Sequence, residues 1–108
     1  MSDLKKGSAE IVILSLLDEA PLHGYGIAKL VTERTDGALK FHAASLYPVL
    51  YRLEKRGVIR GEWEAGKGDR RRRHYRLTPK GKRTLETQRG QVAEFIDALG
   101  RLTGVPDA

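Results

Sequence analysis

Four breaks in the chain limit its fold more than any other feature. Pro21, the Asp36-Gly37 pair and Gly57 each end a run of helical character, and the Thr78-Pro79 pair starts a new one. Proline cannot continue a helix from within, glycine suits the position just past a helix end, and Thr-Pro suits an N-cap followed by the first helical residue. Residues 8–20 are apolar on nearly every side, with Ser8 as N-cap, and predict a helix buried against several neighbours. After a turn at Leu22-His23-Gly24, residues 25–35 place Ile27, Leu30 and Val31 at helical spacing, with Lys29, Glu33 and Arg34 outward. His23 is expected to be a structural hydrogen-bonder and Tyr25 a core residue.

A third helix is predicted from about Ser45 to Gly57, Pro48 being tolerated in its first turn. At 100° per residue, Leu46, Val49, Leu50 and Leu53 fall in one arc of about 100°. Pro48, Tyr51 and Lys55 lie opposite, flanked by Tyr47 and Arg52. One face is core, and the other offers two phenols, a guanidinium and an ammonium. Residues 58–64 and 74–78 read as short strands joined by a Gly- and Arg-rich loop. From Pro79 to about Thr103 one long helix carries Leu85, Val92 and Leu99 seven apart, widened by Phe95, Ile96 and Leu102 and interrupted by Gln88. Its outer half has no partner in so short a chain, which predicts a homodimer through residues 85–102. The alternative is a helix folded back on its own core.

The fold class is therefore mainly α (α+β): a winged helix-turn-helix with one long C-terminal dimerisation helix. Residues 1–78 form the winged part and 79–108 the dimerisation helix and tail, as one structural unit. A chain of 108 residues supports one modest core and no second domain.

Charge narrows the function. Twenty Lys and Arg stand against 14 Asp and Glu. Residues 67–83 hold nine basic residues against the single acid Asp69, a net +8, while the remainder sums to −2. A patch of this kind attracts a polyanion, although a basic run alone is also compatible with a solvated segment or a sorting signal. Cysteine is absent, which removes disulfides, thiolate zinc sites and cysteine nucleophiles. His23, His42 and His74 show no ligand spacing, so no metal or cofactor is expected. Gly61 to Gly68 nearly matches a phosphate-binding loop but ends in Gly where a hydroxyl is needed, and no catalytic triad is visible, so no enzyme is expected. The longest apolar stretch, residues 11–17, is too short for a membrane span. No secretory leader is read, and a cytoplasmic protein, nucleoid-associated when bound, is expected.

The segment Pro21-Leu22-His23-Gly24-Tyr25-Gly26-Ile27 resembles the helix 1–2 junction of PadR-type transcriptional regulators. The stretch from Ser45 to Gly57, SLYPVLYRLEKRG, is similar to that family's recognition helix. Tyr75-Arg76-Leu77-Thr78-Pro79-Lys80-Gly81 resembles its wing strand and last helix. The resemblance spans about residues 8–85 and points to the branch with a short C-terminal region, whose last helix pairs with its counterpart in a dimer. It implies a repressor of nearby genes, released by a small molecule or stress signal. Some multidrug-sensing relatives carry an aromatic, often Trp, on that helix, whereas the only Trp here is Trp63, in the wing strand.

The expected partners are thus double-stranded DNA with a pseudo-palindromic operator and a second copy of the chain, with a small-molecule effector of unknown identity as a further candidate. Ser45, Tyr47, Tyr51, Arg52 and Lys55 are the candidates for base and backbone contact from the third helix. Tyr47 and Tyr51 could instead pack at its rim. Lys67, Arg70, Arg71, Arg72 and Arg73 are assigned to phosphates from the wing; Arg56 is expected to snorkel or pair with an acid. Leu85, Val92, Phe95, Ile96, Leu99 and Leu102 form the expected dimer face. Two readings compete: a basic RNA-binding module, and a winged helix used only for protein–protein assembly.

Overall fold

Residues 6–19 are apolar around almost their whole circumference, and a helix of that kind must be enclosed. In a computed structural model, which describes residues 2–3, 6–64 and 72–106 and side chains at 8–64 and 73–106, it is. Helix α1 (Lys6–Glu19) packs against the second, third and fourth helices and the sheet, burying Ala9, Ile13, Leu14, Leu16 and Leu17. It starts before Ser8, which lies inside it and is not its N-cap. A short strand β1 (Ser2–Asp3) precedes it.

Leu22 and His23, expected as part of a turn, form strand β2 (Leu22–His23). Helix α2 (Gly24–Arg34) follows directly and buries Ile27 and Val31. It ends at Thr35, whose hydroxyl donates to the Val31 carbonyl at 2.7 Å and accepts from the Leu39 amide at 3.0 Å. Asp36 and Gly37 then take left-handed φ of 50° and 80°, a conformation Asp and Gly tolerate best. Strand β3 (Leu39–Lys40) pairs parallel with β1.

Helix α3 (Ala43–Lys55) begins two residues before Ser45, because Ala43 and Ala44 are strong helix formers. Pro48 therefore lies beyond the first turn, where its ring leaves the Ala44 carbonyl without an intrahelical partner. The buried residues are Leu46, Val49, Leu50 and Leu53, the four in the predicted arc. The helix closes in a Schellman motif: Gly57, at φ 76°, donates to the Glu54 carbonyl at 3.0 Å and Val58 to Leu53 at 3.2 Å.

Strands β4 (Ile59–Glu64) and β5 (Arg72–Leu77) form the wing hairpin, in register from Ile59 opposite Leu77 to Glu64 opposite Arg72. The sheet has a third strand, β2, placed antiparallel on the other side of β5. Helix α4 (Pro79–Thr103) follows, capped by Thr78, whose hydroxyl accepts from the Gly81 amide at 3.0 Å, and closed by Gly104 at φ 73°. A Cβ on Gly81 would overlap the Val58 carbonyl, so only glycine lets α4 approach the α3–β4 junction this closely.

Leu85, expected at a dimer face, is buried in the chain's own core at 1 % exposure. It lies on the first turns of α4, which pack on α1. Farther out, the same stripe has no cover within the described residues: Val92, Phe95, Ile96, Leu99 and Leu102 are exposed, Phe95 at 65 % and Leu102 at 85 %. Tyr25, expected in the core, is also exposed at 73 %, because the inward arc of α2 is filled by Ile27 and Val31. No helix among the described residues is long and apolar enough to cross a membrane.

Candidate nucleic-acid interface

The four buried residues of α3 fix which side of it faces out. Ser45, Tyr47, Tyr51 and Lys55 are all exposed, with Tyr47 at 51 % and Tyr51 at 65 %, and Arg52 is half-buried. Lys55 Nζ sits 5.5 Å from the centroid of the Tyr51 ring, a cation–π spacing one turn apart. Arg52 borders a groove with Ala9, Phe41, Ala44, Ser45, Pro48 and Val49. Tyr47 is anchored on one side: a Cβ on Gly24 would stand 2.9 Å from its hydroxyl. Both readings of Tyr47 therefore meet in one residue, with part of the ring packed on the start of α2 and the rest open.

Lys67, Arg70 and Arg71 lie outside the described residues, and so does the side chain of Arg72. Arg73, assigned to phosphates, has an acidic partner within the chain. Its Nη2 donates to Glu54 Oε2 at 2.5 Å across the gap between β5 and α3. Its guanidinium also stands 5.4 Å from the Trp63 ring and 5.9 Å from the Tyr75 ring. The hydrogen bond to Glu54 holds the Arg73 guanidinium above its ordinary range, and burial pushes the Tyr75 phenol up. Gly61 makes the crossing possible, since a Cβ there would fall 2.5 Å from both Arg73 Nε and Glu54 Oε1. Arg73 therefore clamps the wing to the third helix. Arg56 pairs with Glu10 at 2.8 Å, as its position near the core side predicts.

Between the wing and the start of α2 lies a cavity of about 450 Å³, lined by His23, Gly24, Tyr25, Tyr47, Trp63, Arg73 and Tyr75. On its wall His23 Nε2 donates to Glu64 Oε2 at 2.9 Å, and its ring lies 3.9 Å from that of His74. Linear spacing hides this cluster, because β2 reaches the sheet from about fifty positions upstream. Two histidines facing each other across antiparallel strands would have been the signal, had β2 been recognised.

Residues 13–87 match the model of the Transcriptional regulator PadR-like family. A transcriptional regulator of Mycobacterium tuberculosis is 31 % identical over 101 residues, 93 % of this chain and 91 % of that protein. The structure of a transcriptional regulator from Clostridium thermocellum superposes with a TM-score of 0.84 at 30 % identity, over 91 % of this chain and 95 % of that one. Bacillus subtilis PadR in complex with operator DNA superposes with a TM-score of 0.68 at 26 % identity, over 73 % of this chain and 45 % of that one.

Proposed function

Because the chain belongs to the PadR-like family of DNA-binding transcriptional regulators, we propose that it binds a pseudo-palindromic operator as a homodimer and represses nearby genes until a signal releases it. The observation that carries this reading is the two-sidedness of α3. Its apolar residues are sealed in the core, while Tyr47, Tyr51 and Lys55 stand open beside a cationic hairpin. A helix so mounted fits the major groove, where hydroxyls and cations meet base edges and phosphates. Ser45 adds an exposed hydroxyl near the positive end of the helix dipole, a favourable place for a phosphate. Arg52 and Lys55 complete the face, and Lys67, Arg70, Arg71 and Arg72 supply sequence-independent affinity from the wing.

The uncovered stripe on α4, from Val92 to Leu102, supports pairing with a second copy about a two-fold axis. Two reading helices related in that way would meet half-sites about 34–36 Å apart. Such a protein works in the cytoplasm, on the nucleoid when bound.

Selection of fragments from the source genome, followed by competition between the selected duplex and structured RNA, tests the reading. Retention of a common inverted repeat that RNA does not displace is the expected result. Preference for RNA, or indifference to duplex at low salt, overturns it.

A further inference from the structure

The base of the wing carries a cluster that reading DNA does not require. His23 on β2 and His74 on β5 are direct cross-strand partners. Glu64 on β4 stands diagonally across β5, two residues beyond Glu62, which is opposite His74. Paired residues and residues two apart share one face of a sheet, so the three side chains rise together from three strands. Their ligand-type atoms all lie within 4.8 Å of one another.

We propose that His23, His74 and Glu64 form a binding site for one divalent transition-metal ion of the zinc class. Two imidazole nitrogens and one carboxylate oxygen are a donor set for Zn²⁺, Co²⁺ or Ni²⁺, whereas Mg²⁺ and Ca²⁺ take oxygen ligands. The distances fit. A tetrahedral ion with bonds of about 2.0–2.1 Å holds its ligand atoms about 3.3 Å apart. His23 Nε2 lies 2.9 Å and His74 Nε2 3.7 Å from the same oxygen, Glu64 Oε2. The two distances bracket the required edge, and the third edge, between the two imidazoles, is no longer than 4.8 Å, so rotation of the side chains would close the triad on an ion.

The side chains are 25 %, 36 % and 48 % exposed, which leaves the remaining coordination position open to water and gives the ion a way in. Bound there, the ion would tie β2, and with it the start of α2, to both wing strands beside the cavity that contains Tyr47.

The chain has three histidines, and the third, His42, lies apart at the start of α3, so it serves as an internal control. Imidazole proton resonances of the full chain are to be followed during additions of Zn²⁺, then of paramagnetic Co²⁺. We expect His23 and His74 to respond together and saturate at one ion per chain, with His42 unmoved and Mg²⁺ without effect. Zn²⁺ should also raise the melting temperature. His74→Ala and Glu64→Gln should each weaken Zn²⁺ binding at least tenfold. Absence of saturable binding, an equal response at His42, or unaltered affinity in folded His74→Ala protein would overturn the site. Binding of duplex DNA in the presence of a chelator is read separately, so the site and the DNA reading can fail independently.

Discussion

The hydroxyl of Thr78 donates to the carbonyl of Gly57 at 2.6 Å, and so joins the residue that ends α3 to the residue that caps α4. The same oxygen accepts from the Gly81 amide, and Lys80 Nζ reaches the neighbouring Arg56 carbonyl at 2.7 Å. Helices α3 and α4 thus share one hydrogen-bonded corner. In a dimer built on α4, this corner sets the angle at which each copy presents its α3.

Thr78→Val keeps the volume but removes both hydrogen bonds. It should cost about 1–2 kcal/mol, as loss of an N-cap does, and lower the urea midpoint without changing the slope. Gly81→Ala should be more damaging, because its methyl would meet the Val58 carbonyl, a backbone atom that cannot turn aside. Equal stability of Gly81→Ala and wild type would show that the corner yields.

The faces of α3 make a paired test. Leu50→Ala empties a fully enclosed position and should destabilise by roughly 2–5 kcal/mol. Tyr51→Ala, at an exposed position, should leave the melting temperature nearly unchanged and weaken duplex binding. Thermal melts beside fluorescence anisotropy separate the two effects, and the reverse pattern would show that the faces were misassigned.

These faces were legible because a helix writes its burial every three or four residues, and Leu46, Val49, Leu50 and Leu53 keep that period. The corner was half legible: Thr78-Pro79 and Gly57 carry strong end signals, although their mutual hydrogen bond joins positions 21 apart. Strand β2 was not legible. Two residues show no period, and their pairing depends on β5, about fifty positions away. The meeting of His23 with His74 depends on the same pairing and is hidden with it. The Glu54 partner of Arg73 is hidden for a related reason. In the sequence Arg73 is one of four consecutive arginines, and only the fold brings Glu54 over Gly61 to claim it.

That difference among the arginines is measurable. Eight phosphate contacts from a dimer give a slope of roughly −7 in log K against log salt. Arg71→Ala should reduce its magnitude by about 2 per dimer, two contacts being lost. Arg73→Ala should instead lower the melting temperature, since the clamp to Glu54 is released, and leave the salt slope close to that of wild type.

Acid should expose a second ion pair. Arg34 donates to both carboxylate oxygens of Glu19, at 2.5 and 2.8 Å, and these hydrogen bonds hold the Glu19 carboxyl below its ordinary value of 4.5. A carboxyl depressed in the folded state contributes stability above its unfolded value, and loses it as pH falls through the folded one. Arg34→Met should therefore melt slightly below wild type at pH 7, with the gap closing as the pH is lowered through and below 4.5. Both groups are exposed, so the gap should also shrink in high salt. A gap that widens on acidification would contradict the pairing.

The outer half of α4 offers a test of the proposed dimer. Phe95 and Ile96 are 65 % and 47 % exposed on a stripe continued by Leu99 and Leu102, and a monomer would leave this apolar surface in water. The 12.1 kDa chain should therefore have twice that mass by light scattering at micromolar concentration. Phe95→Glu with Ile96→Glu places charge in the proposed interface, and should return the mass to that of one chain. The winged part keeps its own core, which includes Leu85 on the inner turns of α4, so far-ultraviolet circular dichroism should still report folded helices. DNA affinity should fall much further than the loss of any one phosphate contact, because two linked half-sites become two independent weak ones. A doubly substituted protein that stays dimeric would place the interface elsewhere.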